Sequence, residues 1–312
     1  MTTSIRPVPR LSSHIVRLRS GQRVGVLLGG EGVPLILVPG LSPAAEIYLG
    51  PLTAVATLGF KIVAIDFVPP GRETWPLGWA GNLHRYRRIV GEVLDELGLA
   101  RSVLVGHSLG GRVVTELAAT EPERALAVVL LNGAVGAPWD NLAALCNGVP
   151  LLAGLMGLNL AADAFRTLAS SGFDIATLME MAVRQALADT IAPWRLVSRT
   201  LPVVCAPPST PALDRLGRNE TPTFVVHGDA DPVVPVAAAH DAARRSRGEL
   251  VTIPGAAHLW PLADVHALAG VLSNLLDGSL GRAIAGVPDG SDRTVCDPAR
   301  RTSDLHLQVC RD

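Results

Sequence analysis

A surplus of charge of either sign is the first thing this sequence lacks. Its 27 lysines and arginines face 28 aspartates and glutamates, for a formal net charge of −1. That balance leaves no electrostatic footprint for nucleic acid or for an anionic membrane surface, so a small molecule is the expected partner. Cysteine is also scarce: Cys146, Cys205, Cys296 and Cys310 are scattered along 312 residues. They show no C-x-x-C and no Cys/His spacing, so no metal site and no redox pair is expected, and all four read as free thiols. The opening stretch "MTTSIRPVPRLSSHIVRLRS" carries arginine and proline throughout and has no apolar h-region. No secretory signal peptide is read there, and a cytoplasmic protein is expected.

What is present is apolar material: 48% of the residues are hydrophobic. A chain of this length suits one large α/β domain carrying an insertion. Short runs rich in Val, Ile and Leu recur with helical patterns between them, the mark of a mostly parallel sheet covered by helices. "HIVRLR" and "RVGVLL" look like an opening hairpin, and "LILVPG", "KIVAIDF", "SVLVGH", "ALAVVLLNG", "TFVVHG" and "ELVTIPG" read as buried strands. About eight strands are therefore expected. The clearest helix has Leu83, Tyr86, Val90, Val93, Leu94 and Leu97 on one face and ends at Gly98. Its arginines, Arg85, Arg87 and Arg88, lie opposite that stripe and read as a solvated face.

Three segments follow from this pattern: a core over residues 1–136 and 219–277, an inserted helical cap over 137–218, and a flexible tail over 278–312 rich in Gly, Ser, Asp and Arg. Inside the cap, Asn141 to Ala162 contains no charge at all, long enough to raise the question of a membrane span. Asn141, Asn147, Pro150, Gly154 and Gly157 argue against a spanning helix, and a greasy lid over a pocket is the expectation. Leu151, Leu155, Met156 and Phe165 are the candidate pocket residues, with packing of the cap onto the core as the competing role for each.

The chemistry centres on "VGHSLGG". Ser108 follows the apolar run "SVLV" and precedes "LGGRVVTELAAT", so it sits where a strand turns sharply into a helix. A serine nucleophile at such a turn needs small neighbours, which Gly106 and Gly110 supply in G-x-S-x-G. The amide of Leu109 is then free at the helix N-terminus to bind a developing oxyanion. A phosphate-cradling loop fits less well, since no lysine follows the glycines and the G-x-G-x-x-G order is absent.

A serine hydroxyl needs a base, and the base an orienting acid. "GDADP" places Asp229 and Asp231 just after a strand, and "IPGAAH" places His258 just after the last one. Asp231 is the chosen acid because Asp229 is better placed to stabilise the turn itself. Asp140, after the sixth strand, is held in reserve. The loop "LVPGLSP" offers Gly40 and the amide of Leu41 as a second oxyanion donor.

Together "GHSLGG", "HGDADPVVP" and "GAAH" resemble the elbow, acid and histidine motifs of the α/β-hydrolase superfamily, a likeness reaching to about Leu276. "DFVPPGRE" resembles its D-x-P-G-x-G-x-S loop without the second glycine and the serine. "VPGLS" resembles its oxyanion loop with Pro39 in place of the histidine. The resemblance implies the α/β-hydrolase fold with a helical cap, a triad of Ser108, Asp231 and His258, and no metal or organic cofactor. It also implies acyl chemistry on a small hydrophobic substrate, with ester hydrolysis leading and acyl transfer, cofactor-free peroxidation and non-catalytic ligand binding as alternatives. The Asn-Ser-Met elbow of the carbon–carbon bond hydrolases is absent.

Overall fold

The computed structural model describes residues 9–40, 45–66, 83–170, 206–285 and 308–310. All eight expected strands form: β1 Ser12–Arg17, β2 Arg23–Gly29, β3 Val33–Val38, β4 Phe60–Asp66, β5 Ser102–His107, β6 Ala125–Leu131, β7 Thr223–Gly228 and β8 Glu249–Ile253. A ninth, β9 Gln308–Cys310, joins them, and the order is β1-β2-β4-β3-β5-β6-β7-β8-β9. β1 and β2 pair antiparallel as a hairpin, β2 runs antiparallel to β4, and every pairing from β4 through β3 to β8 is parallel.

Central strands of such a sheet are covered on both faces, which is why they read as unbroken apolar runs. Successive residues divide between two cores. Ile36, Leu104 and Val128 face one, where they meet helices α2 Leu83–Glu96 and α3 Leu109–Thr120. Leu35, Val103 and Val129 face the other, against α1 Leu49–Ala56 and, later in the chain, the helix Ala267–Leu276. The stripe anticipated on α2 is buried at Leu83, Val90, Val93 and Leu94, and Gly98 ends the helix at φ +65°.

After β6 come α4 Ala137–Gly148 and α5 Pro150–Ser170, both within the span 137–218 read as an inserted cap. Its far boundary lies earlier than residue 218. Helix α6 Thr210–Arg218 buries Ala212, Leu213 and Leu216 in the same core as α3 and α7 Val236–Ser246, so it is part of the layer covering the sheet. The tail expectation is corrected as well: α8 Ser279–Ala285 is helical with Leu280 fully buried, and β9 adds to the edge of β8. Among the described residues, no helix is long and apolar enough to cross a membrane.

Candidate active site

β5 ends at His107 and α3 begins at Leu109, which leaves Ser108 alone to turn the chain. Its backbone sits at φ 53°, ψ −120°, a left-handed conformation that costs a side-chain-bearing residue roughly 1–3 kcal/mol. Three hydrogen bonds hold it there. The Ser108 amide donates to the Leu131 carbonyl at 3.0 Å, and its own carbonyl accepts from Gly111 at 3.0 Å and Ala134 at 2.9 Å. A Cβ on Gly110 would lie 1.9 Å from the Val38 carbonyl oxygen, and one on Gly106 would lie 2.5 Å from that of Gly110, so neither position accepts a larger residue.

The chain leaving β3 crosses directly over the serine: a Cβ on Gly40 would meet Ser108 Cβ at 2.8 Å and Oγ at 3.3 Å. Leu41, expected to supply an oxyanion donor, lies outside the described residues, as does most of "DFVPPGRE". Leu109 is the first residue of α3, a position whose N–H has no acceptor within the helix.

Two further loops at the C-terminal edge of the parallel strands complete the site, where ligands of open α/β sheets gather. From the loop after β8, the buried His258 ring accepts the Ser108 hydroxyl at Nε2 (2.9 Å) and donates from Nδ1 to Asp231 Oδ2 (2.8 Å). From the loop after β7, Asp231 turns its Oδ1 to the amides of Val233 and Val234 at 2.7 and 2.9 Å. Burial by itself would raise the Asp231 carboxyl. The hydrogen bond and charge of His258, with help from His227 and the Val234 amide, outweigh it and hold the group below the usual carboxylate range.

The competing aspartates have other partners. Asp229 is exposed and accepts the Gly255 amide at 2.6 Å, tying the acid loop to the histidine loop. Asp140 pairs with the buried Arg112 at 2.9 Å and accepts from Ser209 N and Oγ at 2.7 and 2.9 Å. It thereby joins α4, α3 and the segment ahead of α6, away from the histidine.

Sequence reasoning passed over His107 and Tyr48. The His107 ring donates from Nε2 to the His258 carbonyl at 3.1 Å and accepts the Tyr48 hydroxyl at Nδ1 at 2.7 Å. Burial and then the neighbouring His258 push His107 down to about 3, so it serves as a neutral spacer. Its position beside Ser108 was the available signal; Tyr48, on the 3₁₀ turn Ala45–Tyr48, carried none. His227 is likewise lowered by burial and donates to the Val234 carbonyl at 3.0 Å.

Of the candidate pocket residues, only Met156 packs toward the site, beside the apolar cluster of Leu109, Ala134, Trp139 and Val233. Leu151, Leu155 and Phe165 point outward instead, 72%, 49% and 76% exposed. Met156, Leu160 and Asp163 share one face of α5 at i, i+4, i+7, which turns the other leucines away. Asp163, buried, accepts the Leu259 amide at 2.9 Å and so fastens α5 to the residue after His258. Among the described residues, no group of three His, Cys, Asp or Glu side chains could hold a metal ion.

A sequence model of the alpha/beta hydrolase family matches residues 35–271, a span that runs from β3 through the Ser108, Asp231 and His258 loops. The chain belongs to the alpha/beta hydrolase family. Among curated relatives, this hydrolase is 32% identical to a Mycobacterium phage D29 protein named "Putative non-heme haloperoxidase", over 88% of this chain and 99% of the relative. It is 27% identical to a 2-hydroxy-6-oxononadienedioate/2-hydroxy-6-oxononatrienedioate hydrolase of Paraburkholderia phymatum, over 72% of this chain and 77% of that one. Among solved structures, the esterase RhEst1 of a Rhodococcus species matches the hydrolase with a TM-score of 0.62 at 21% identity, covering 85% and 98% of the two chains. At that identity the likeness speaks for the fold.

Proposed function

We propose that this alpha/beta hydrolase cleaves a carboxylic ester, or a thioester or lactone, of a small hydrophobic substrate through an acyl-enzyme on Ser108. The observation that carries the reading is the continuous row from Ser108 Oγ to His258 at 2.9 Å and on to Asp231 at 2.8 Å. Nucleophile, general base and orienting acid stand in it in the order the chemistry needs.

In the first step Ser108 Oγ attacks the substrate carbonyl as its proton passes to His258 Nε2. Asp231, kept ionised, stabilises the imidazolium through Nδ1 and fixes its tautomer. The tetrahedral oxyanion falls to the amide of Leu109, and we assign the second donor to Leu41, next to the glycine that abuts Ser108. His258 then returns its proton to the leaving alcohol. A water activated by the same ring releases the acid and restores the serine. Every proton in this cycle passes through His258, between Ser108, the leaving alcohol and the attacking water, so no cofactor is assigned.

The cap reading is part of the same proposal. α5, fastened beside His258 through Asp163, brings Met156 and Leu160 over the apolar cluster at Leu109, a wall suited to a hydrophobic acyl group.

A panel of p-nitrophenyl esters of graded acyl length tests the reading. Turnover is expected on at least one member and is expected to fall by at least about 10³-fold in Ser108→Ala. A folded wild type inert on every member overturns it. The 32% identity to the phage protein favours one second reading, with hydrogen peroxide replacing water at the acyl-enzyme. Peracid formation from acetate and peroxide, abolished in the same variant, would distinguish it.

A further inference from the structure

β6 lies between β5, which carries Ser108, and β7, which leads to Asp231. The residue that follows β6 is Asn132, fully buried, with a left-handed φ of 44° and its amide donating to the Val226 carbonyl at 2.9 Å. Its carboxamide is satisfied at both ends. Oδ1 accepts the Gly228 amide at 2.9 Å and the Trp260 indole N–H at 3.1 Å. Nδ2 donates to the carbonyls of Ala257 at 3.0 Å and His258 at 3.1 Å. Turned over, the amide would set nitrogen against two donors and oxygen against two carbonyls, so the partners dictate its orientation.

These four bonds join the two loops on which the site depends. Gly228 opens the turn that carries Asp231, its carbonyl accepting the Asp231 amide at 3.2 Å. Ala257 and His258 belong to the loop of the base, and Trp260 opens the short helix Trp260–Ala263 that follows it. The His258 carbonyl also receives the His107 N–H at 3.1 Å, so two buried donors pin the main chain of one residue. A buried network with every member paired holds its groups to a single geometry.

We propose that Asn132 is a positioning residue for the general base: it locks the acid turn and the His258 main chain in one frame and so sets the reach of His258 Nε2 to Ser108 Oγ. The inference rests on the reading of Ser108, His258 and Asp231 as nucleophile, base and acid. Asparagine suits the place because a single side chain must accept from the acid turn and from Trp260, donate to the His258 loop and tolerate a positive φ.

Asn132→Asp is the discriminating variant. It keeps the shape and the acceptor side, but the oxygen facing Ala257 and His258 donates one hydrogen bond when protonated and none when ionised. The phosphonylation rate of Ser108 by a fluorophosphonate, divided by the wild-type rate at each pH, should therefore fall as pH rises. At the alkaline end the loss should reach roughly 10²-fold, the scale of a misplacement near 1 Å, and should appear in kcat rather than KM for a p-nitrophenyl ester. Asn132→Gly, which accepts the backbone angle without strain, should lose rate at all pH values with no such trend, and it carries the test if the aspartate variant does not fold.

Folded variants that react within about twofold of wild type, or a loss in Asn132→Asp that is flat with pH, overturn the inference. A reactive wild type with unaffected variants removes this inference alone. A wild type that phosphonylates at no serine removes the triad reading and this inference with it.

Discussion

Ser108 pairs a strained backbone with a hydrogen-bonded hydroxyl, and the neighbouring His107 extracts a cost for that arrangement in acid. The ring titrates at 6.5 when unfolded and is held down to about 3 when folded. Between those values the unfolded chain binds the extra proton. His107 therefore contributes its full stability above about pH 6.5 and loses it as pH falls toward about 3. His227, lowered by burial, acts with the same sign, and Asp231 adds to the loss further into acid. Tm should fall steadily from about pH 7 to about pH 4, and His107→Asn should flatten the slope; a Tm constant over that interval contradicts the assignment. Ser108 was legible because its requirements are local: a strand before, a helix after and glycines two positions either side. His258 and Asp231 were legible through chain order. His107, Tyr48 and Asn132 were not, because their partners lie 151, 59 and 126 positions away; adjacency to Ser108 flagged His107 without naming its contact, and nothing near Tyr48 or Asn132 marks theirs.

At the scale of elements, the buried strands announced themselves as apolar runs, whereas the orientation of α5 did not. A helix without charge from Leu151 to Ala162 shows no polar face by which to choose its buried side. The choice is made by Asp163 and its bond to the Leu259 amide. Asp163→Ala should leave that amide unpaired and lower stability by about 1–3 kcal/mol, while Asp163→Asn, which retains an acceptor oxygen, should cost less; urea midpoints of the two variants measure the difference. Equal losses would show that the carboxylate charge, rather than the acceptor, fixes α5. Helix α6 went unrecognised as part of the core for a different reason. Its buried Leu213 and Leu216 are short-range signals absorbed into a long segment whose far boundary no local feature marked. Composition misjudged Ser279–Ala285 in the same way, since Gly278 and the polar residues beyond suggested an early end to the fold.

Across the whole molecule, a parallel sheet gathers the C-terminal ends of β5, β7 and β8 on one edge, so residues 108, 231 and 258 meet although they belong to three separate loops. β6 between them supplies the cross-tie at Asn132, and α5 closes against the same edge from outside the sheet. That convergence is a property of topology, and the order of serine, acid and histidine made it readable before any distance was known. The catalytic reading depends on Ser108 being uncommonly reactive among the serines of the chain. Intact mass and peptide mapping after brief treatment with a fluorophosphonate probe test this most directly. One adduct at Ser108, absent in Ser108→Ala and slowed in His258→Ala, is the predicted result; a folded protein left unlabelled, or labelled at a different residue, would contradict it.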